Sequence, residues 1–223
     1  MIQLNEGTIR AGQQDLEGML QRGAAALHVP ISAVQNEKLL GYVALLMKWG
    51  GIYNLTAVRE PADIVIRHLL DSLATARYLK GPNIIDVGTG AGLPGIPLAI
   101  AFPDLEFTLL DSVAKKTRFV LQAAGELGLS NVLTRTMRVE NYRPPQLFDT
   151  VITRAFASVG DFLTVAGGLC RPCGSLLAMK GRIRDDELEG LPKGFYVEEV
   201  APLDVPGLDE ERHLVRVGRY FCP

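Results

Sequence analysis

Asp86-Val-Gly-Thr-Gly-Ala-Gly92 is the stretch best equipped for chemistry: an acid, then glycines at 88, 90 and 92, then Leu93-Pro94-Gly95. Glycine tolerates positive φ and carries no Cβ, so a ligand can rest directly on such a backbone. Gly90, Gly92 and Gly95 also fit G-x-G-x-x-G, which is shared by dinucleotide enzymes and by turns that bind nothing. Two acids discriminate between these. Asp86, two residues ahead of the first glycine, suits a ligand ammonium and would repel a pyrophosphate. Asp111, closing the apolar run Phe107–Leu110, suits a pair of ribose hydroxyls. Together they favour S-adenosylmethionine over a dinucleotide, with Thr89 in the turn and Ser112 beside Asp111 as parts of the same expected site.

Such a turn needs a strand before it and a helix after it. Ile84, Ile85 and Val87 read as a buried strand end, and Pro94 suits the first turn of a helix. From residue 83 the pattern alternates, with strands expected at 83–87, 106–110, 131–136, 148–153 and 174–179. Helices are expected near 95–102, 113–127 and 160–169. A short charged helix at 184–190 then precedes strand runs 195–201 and 212–220, which read as a closing hairpin. The expectation is an α/β fold: a Rossmann-like, doubly wound, mostly parallel sheet of seven strands. Right-handed crossovers place Asp86–Gly92, Asp111-Ser112, Arg138–Glu140, Arg154 and Lys180–Arg182 on one edge.

Residues 1–80 read as a helical extension packed on the S-adenosylmethionine-binding part, 81–223, the two forming one structural unit. Gln14–Leu27 is amphipathic, Ser32 and Gln35 have capping-box spacing, and Gly50-Gly51 should stop the helix that runs to Trp49. Pro61 should open another helix through Tyr78.

Composition bounds the rest. The 223 residues are 48% apolar and 22% charged, which suits a soluble globular chain. No apolar run approaches a membrane span, the N-terminus lacks a signal-peptide layout, and three cysteines make no disulfide framework. A cytoplasmic monomer with no metal and no membrane contact is expected. Cys170-Arg-Pro-Cys173 is read as two structural cysteines, since zinc would need further ligands and only His213 and Cys222 lie downstream. Net charge is −2 overall, yet residues 112–184 carry eleven basic and four acidic side chains. A basic face of that kind attracts polyanions.

Six stretches stand in one order: Asn54-Leu-Thr-Ala-Val-Arg59, Arg67-His-Leu-Leu-Asp-Ser-Leu73, Asp86–Pro97, Leu110-Asp-Ser112, Arg138-Val-Glu140 and Thr153-Arg-Ala-Phe-Ala-Ser158. In them, over roughly residues 35 to 182, the chain resembles the bacterial small-subunit ribosomal RNA guanine-N7 methyltransferases, also called glucose-inhibited division protein B. The resemblance implies a class I methyltransferase fold, S-adenosylmethionine as donor, and a guanine of 16S ribosomal RNA or the small subunit as acceptor. By the same resemblance Gly88 and Leu93 line the cofactor loop, Val139 and Glu140 border the adenine, and Arg154 stands where cofactor and base meet. Ala91 replaces a proline found in many members.

Guanine N7 has an in-plane lone pair and no proton, so its attack on a sulfonium methyl needs no general base. Arg154 therefore reads as an orienting contact to phosphate or O6, against the simpler reading of a salt bridge at the strand end. Asn54, Thr56, Arg59 and His68 read either as a lid over the RNA base or the cofactor, or as turn and helix-cap residues. Lys180 and Arg182, with Arg184, read as RNA phosphate contacts. The competing functions are a methyltransferase of the same fold acting at another RNA site, a nicotinamide oxidoreductase, and a non-catalytic RNA-binding module.

Overall fold

The structure is a computed structural model that describes residues 6–154, 156–183 and 185–220. Its centre is a seven-stranded sheet in the order β3-β2-β1-β4-β5-β7-β6. The parallel strands are β1 (Asn83–Val87), β2 (Glu106–Asp111), β3 (Val132–Thr136), β4 (Phe148–Thr153) and β5 (Cys170–Lys180). The late runs form the expected hairpin, β6 (Phe195–Pro202) and β7 (His213–Arg219), with β7 antiparallel to both neighbours. Strand order reverses between β1 and β4, and at such a switch point two crossovers diverge and leave a crevice.

Helices α5 (Gly95–Ala101), α6 (Ala114–Glu126) and α7 (Val159–Ala166) connect the parallel strands, close to where the periodicity puts them. Pro94 proves to be the N-cap of α5 and not a residue of its first turn. One buried cluster joins Ile84, Leu98, Leu109 and Phe119 to Tyr42, Leu46, Leu69 and Leu73 of the N-terminal helices. A second cluster, with Val87, Val151, Phe162 and Val217, covers the opposite face. The sheet is thus buried on both sides.

At the N-terminus, α1 (Glu6–Ala26) is followed by α2 (Ala33–Tyr53), opened by the Ser32–Gln35 capping box. Contrary to expectation, α2 continues through Gly50 and Gly51. Each glycine costs about 1 kcal/mol in a helix, whereas each fully buried large apolar side chain contributes about 1.5–3 kcal/mol. Leu39, Tyr42, Val43, Leu45 and Leu46 are all buried upstream, Gly50 is buried too, and its carbonyl accepts from the Asn54 and Leu55 N–H groups. Asn54 then ends the helix in the left-handed conformation at φ 52°.

The single helix expected over 61–78 is broken. Pro61–Ile64 (α3) is α-helical, Val65–Leu70 is π-helical, Asp71–Leu73 (α4) is α-helical again, and Ala76–Tyr78 is a 3₁₀ turn. The charged helix expected at 184–190 is a 3₁₀ turn, Asp185–Leu188, and Arg184 lies outside the described residues. β5 begins four residues earlier than expected, at Cys170, with an irregular register opposite Phe148 and Thr150.

Candidate functional site

The glycine turn hangs on the end of β2. Gly88 and Thr89 N–H groups donate to the Leu110 carbonyl at 2.8 and 3.1 Å, and Gly92 and Leu93 N–H groups return to the Thr89 carbonyl, each at 2.9 Å. Gly88, Gly90 and Gly92 have φ of 73°, 61° and 95°, a region open to glycine at no steric cost. Thr89, Ala91 and Leu93 are buried, while Gly88 and Gly90 are partly exposed. A Cβ on Gly90 would meet only the Gly88 carbonyl at 3.9 Å, so its outer side faces free space.

The two acids bracket this turn differently. Asp86 is fully buried, and its Oδ2 accepts from Thr89 Oγ1 at 2.6 Å and from the Gly95 N–H at 3.0 Å. Asp86 Oδ1, also buried, accepts no hydrogen bond among the described residues. Burial raises the Asp86 pKa to about 6, against the lowering effect of those bonds and of Arg154. Asp111 binds the Gly90 N–H through Oδ2 at 2.9 Å and the Val113 N–H through Oδ1 at 2.8 Å. Each of its oxygens keeps a second lone pair for a further donor. Ser112 beside it is exposed.

These features fit the ammonium and ribose of S-adenosylmethionine: a buried, unsatisfied carboxylate oxygen below an open glycine turn, and an acid at the next strand end. Val139 is half-buried and Glu140 exposed, on a 3₁₀ turn (Val139–Asn141) following β3 along the same edge. Tyr42 reaches from α2 to donate to the Ala91 carbonyl at 2.6 Å. Its phenol is buried and its pKa is raised by that burial.

Across the switch point the Thr153 hydroxyl donates to the Val87 carbonyl at 2.8 Å, which holds the ends of β4 and β1 together. Arg154 follows and borders a cavity of about 370 Å³ whose walls include His68, Asp71, Lys180 and Arg212. Arg154 Nη1 lies 3.3 Å from Asp71 Oδ2, and Arg212 Nε lies 3.3 Å from Asp71 Oδ1. Burial raises the Asp71 pKa, and both arginines oppose the rise. The strand-end salt bridge is therefore present, with its acid supplied by α4.

His68 is buried and bonded at both nitrogens. Nδ1 is 2.9 Å from the Arg67 carbonyl, so it carries the hydrogen, and Nε2 accepts from the Thr56 hydroxyl at 2.7 Å. Burial first, then the charge of Arg154, lowers its pKa to about 4. Thr56 Oγ1 in turn accepts from the Val58 N–H at 3.1 Å. His68 and Thr56 thus fasten the segment after α2 to the π-helical turn, Asn54 caps α2, and Arg59 is exposed.

Lys180, expected as a phosphate contact, is held at the end of β5 by partners of its own chain. Its ammonium forms an ion pair with Glu187 and donates to the Phe156 and Ala157 carbonyls at 3.2 and 2.7 Å. Arg182 is exposed. Sequence reasoning missed Asp71, Arg212 and the anchoring role of Tyr42. An acid inside the apolar run Leu69–Leu73 was a usable sign of a buried, paired carboxylate. Arg212, behind Glu210 and Glu211, gave no such sign.

Cys170 is free and buried, and Cys173 is disulfide-bonded, so the two do not pair with each other. Among the described residues no cluster of His, Cys, Asp and Glu is placed to hold a metal ion, and no helix is long and apolar enough to cross a membrane.

Comparison with known proteins extends the likeness read from the motifs. The family model described as GidB, rRNA small subunit methyltransferase G, matches residues 35–215, which takes in Arg212 and most of the hairpin. A ribosomal RNA small subunit methyltransferase G of Nitrosococcus oceani is 52% identical over 90% of this chain and 94% of its own length. The protein of that name from Shewanella amazonensis is 52% identical over 89% of this chain and 96% of its own. Among solved structures, the magnesium protoporphyrin IX methyltransferase of Synechocystis has a TM-score of 0.54 at 18% identity, over 77% of this chain and 89% of its own. That last likeness concerns the fold. With an ordered glycine turn, both flanking acids and matches spanning most of the chain, this protein belongs to the GidB family of small-subunit ribosomal RNA methyltransferases.

Proposed function

We propose that this chain transfers the methyl group of S-adenosylmethionine to N7 of a guanine in 16S ribosomal RNA. The observation that carries the reading is the unsatisfied, buried Asp86 Oδ1 under an open glycine turn, one strand away from a cation-lined cavity. Family membership supports the acceptor.

When bound, S-adenosylmethionine supplies an electrophilic methyl group. Gly88, Thr89, Gly90, Gly92 and Leu93 form its seat, Asp86 holds its ammonium, and Asp111 with Ser112 holds its ribose. Val139 and Glu140 border its adenine. The chain's own work is alignment: orienting two partners can contribute about 7–11 kcal/mol to lowering a barrier. Nothing must take a proton, and the site has no ready base. His68 is neutral near pH 7 with both nitrogens engaged, and Asp71 is ion-paired. Arg154, drawn toward Asp71, is placed to touch phosphate or O6 while its charge is partly balanced. That balance favours a product base that becomes cationic. Asn54, Thr56, Arg59, His68 and Arg182 form the rim on the RNA side, and the active unit is a monomer in the cytoplasm.

The test is incubation with labelled S-adenosylmethionine and small subunits, or their RNA, from cells lacking this modification, followed by mapping of the modified nucleotide. Label at N7 of one guanine is expected. Folded, cofactor-bound protein that labels no RNA form overturns the reading.

A further inference from the structure

The N-terminal helices hold a cavity larger than the one beside Arg154, and methyl transfer makes no use of it. It is a groove of about 1130 Å³ between α1 and α2, with the start of α3 on its border. Asn36, Leu40, Ala44 and Met47 follow one another along α2 at helical spacing, so they form one stripe about 16 Å long. Leu16 and Met19 line the groove from α1. Leu16, Met19 and Leu40 are only half-buried and Met47 is 49% exposed, which leaves an apolar strip open to solvent.

Two further observations say what covers that strip. Its border carries Asp15, Glu17, Glu37 and Glu60, all exposed, and no cation among the described residues. None of the four acids forms an ion pair among those residues. Deeper in, Asn36 is 1% exposed, and its Oδ1 accepts no hydrogen bond among the described residues. Buried polar atoms are nearly always satisfied, so the groove lacks a donor as well as a positive charge and an apolar face. RNA brings phosphates, which four carboxylates repel. A lysine- or arginine-rich amphipathic helix brings all three requirements: an apolar face for the stripe, cations for the rim and an N–H donor for Asn36. Met19 and Met47 are flexible side chains that adapt to such a face. The position agrees. Glu60 follows Arg59 on the segment that Thr56 fastens to His68, so a helix in the groove lies beside the rim assigned above to RNA.

We propose that the α1–α2 groove docks a basic amphipathic helix, about three turns long, from a protein of the small ribosomal subunit. The chain then recognises its substrate by two surfaces, one for RNA and one for protein. The inference rests on the function proposed above and adds a protein contact to its substrate.

The test measures binding by sedimentation to purified small subunits and, separately, to 16S RNA stripped of protein. Glu37→Lys reverses one charge on the groove's rim. Glu106→Lys reverses one at the start of β2, an exposed place at the sheet edge opposite the glycine turn. For Glu37→Lys, Kd for the subunit should rise about tenfold, while Kd for bare RNA does not rise and the melting temperature keeps its wild-type value. Glu106→Lys should raise neither Kd. An unchanged subunit Kd in Glu37→Lys overturns the proposal, as does an equal rise for subunit and bare RNA, or an equal effect in both variants. If Glu37→Lys does not fold, Glu37→Gln replaces it, and a rise of about threefold is required. A benzophenone attached through Ala44→Cys and irradiated on purified subunits identifies the occupant. Attachment to a lysine- or arginine-rich helix of a subunit protein is expected. Attachment to RNA, to a second copy of this chain, to the chain's own residues or to nothing overturns the proposal. Wild-type protein that methylates no RNA sinks the proposed function, an outcome distinct from all of these.

Discussion

The two halves of the site are built in opposite ways. The donor half is local: Asp86, the glycine turn, Gly95 and Asp111 lie within 26 consecutive residues and bond one another. The acceptor half is assembled from four distant stretches that bring His68 and Asp71, Arg154, Lys180 and Arg212 to one cavity. A locally bonded turn keeps its shape as long as its own strand ends hold. A cavity made of distant parts depends on every part arriving. Damage to the acceptor half should therefore cost alignment and spare the cofactor, and damage to the donor half should do the reverse.

The largest test of that contrast is Asp71→Ala. It leaves Arg154 and Arg212 without their common anchor, and misplacement by about an ångström is enough to lower turnover about 100-fold. Single-turnover methyl transfer should fall by that order while calorimetric affinity for S-adenosylhomocysteine holds. Loss of both together would erase the division between the halves.

Within the donor half, two glycines should separate binding from folding. Gly90→Ala places a methyl over the turn, with strain at φ 61° costing about 1 kcal/mol, and should weaken S-adenosylhomocysteine about tenfold. Gly95→Ala instead drives Cβ into Leu109 and to within 3.0 Å of Asp86 Oδ2, so its main effect is a loss of about 1–3 kcal/mol in denaturant unfolding.

Asp86 supplies the next test. Its pKa of about 6 means that acid protonates the carboxylate proposed to hold a ligand ammonium. Affinity for S-adenosylhomocysteine should fall by up to about tenfold per pH unit below 6, and Asp86→Asn should flatten that dependence.

The smallest effects concern stability against pH, and here the halves pull in opposite directions. His68, held down at about 4, favours folding above its ordinary value near 6.5 and loses that contribution as pH falls toward 4. Asp86, held up at about 6, favours folding below its ordinary value near 4 and loses that contribution as pH rises through 6. Melting curves between pH 4 and 7 should show less acid sensitivity in His68→Gln and more in Asp86→Asn.

The same division governs what the sequence could disclose. The turn, its two acids and the strands around them are written in neighbouring residues, because glycine tolerance and strand periodicity act over short spans. The break after Ile64 is not, since His68 and Asp71 answer to Thr56, Arg154 and Arg212. Nor is the passage of α2 through Gly50-Gly51. The partners of Lys180 are not legible either, since Glu187 and the carbonyls of Phe156 and Ala157 meet it only in the folded chain.

The π-helical turn at Val65–Leu70 gives chain length a role of its own. Such a turn holds one more residue than an α-helical turn, and every later residue is rotated by about 100° and advanced by about 1.5 Å. Asp71 is the first residue beyond it, and its meeting with Arg154 and Arg212 depends on that rotation. Removing any single residue from the segment, even one whose side chain touches nothing, would restore a regular helix and swing the carboxylate away from both arginines. At this place the genetic unit under constraint is the count of codons as much as the amino acids they specify.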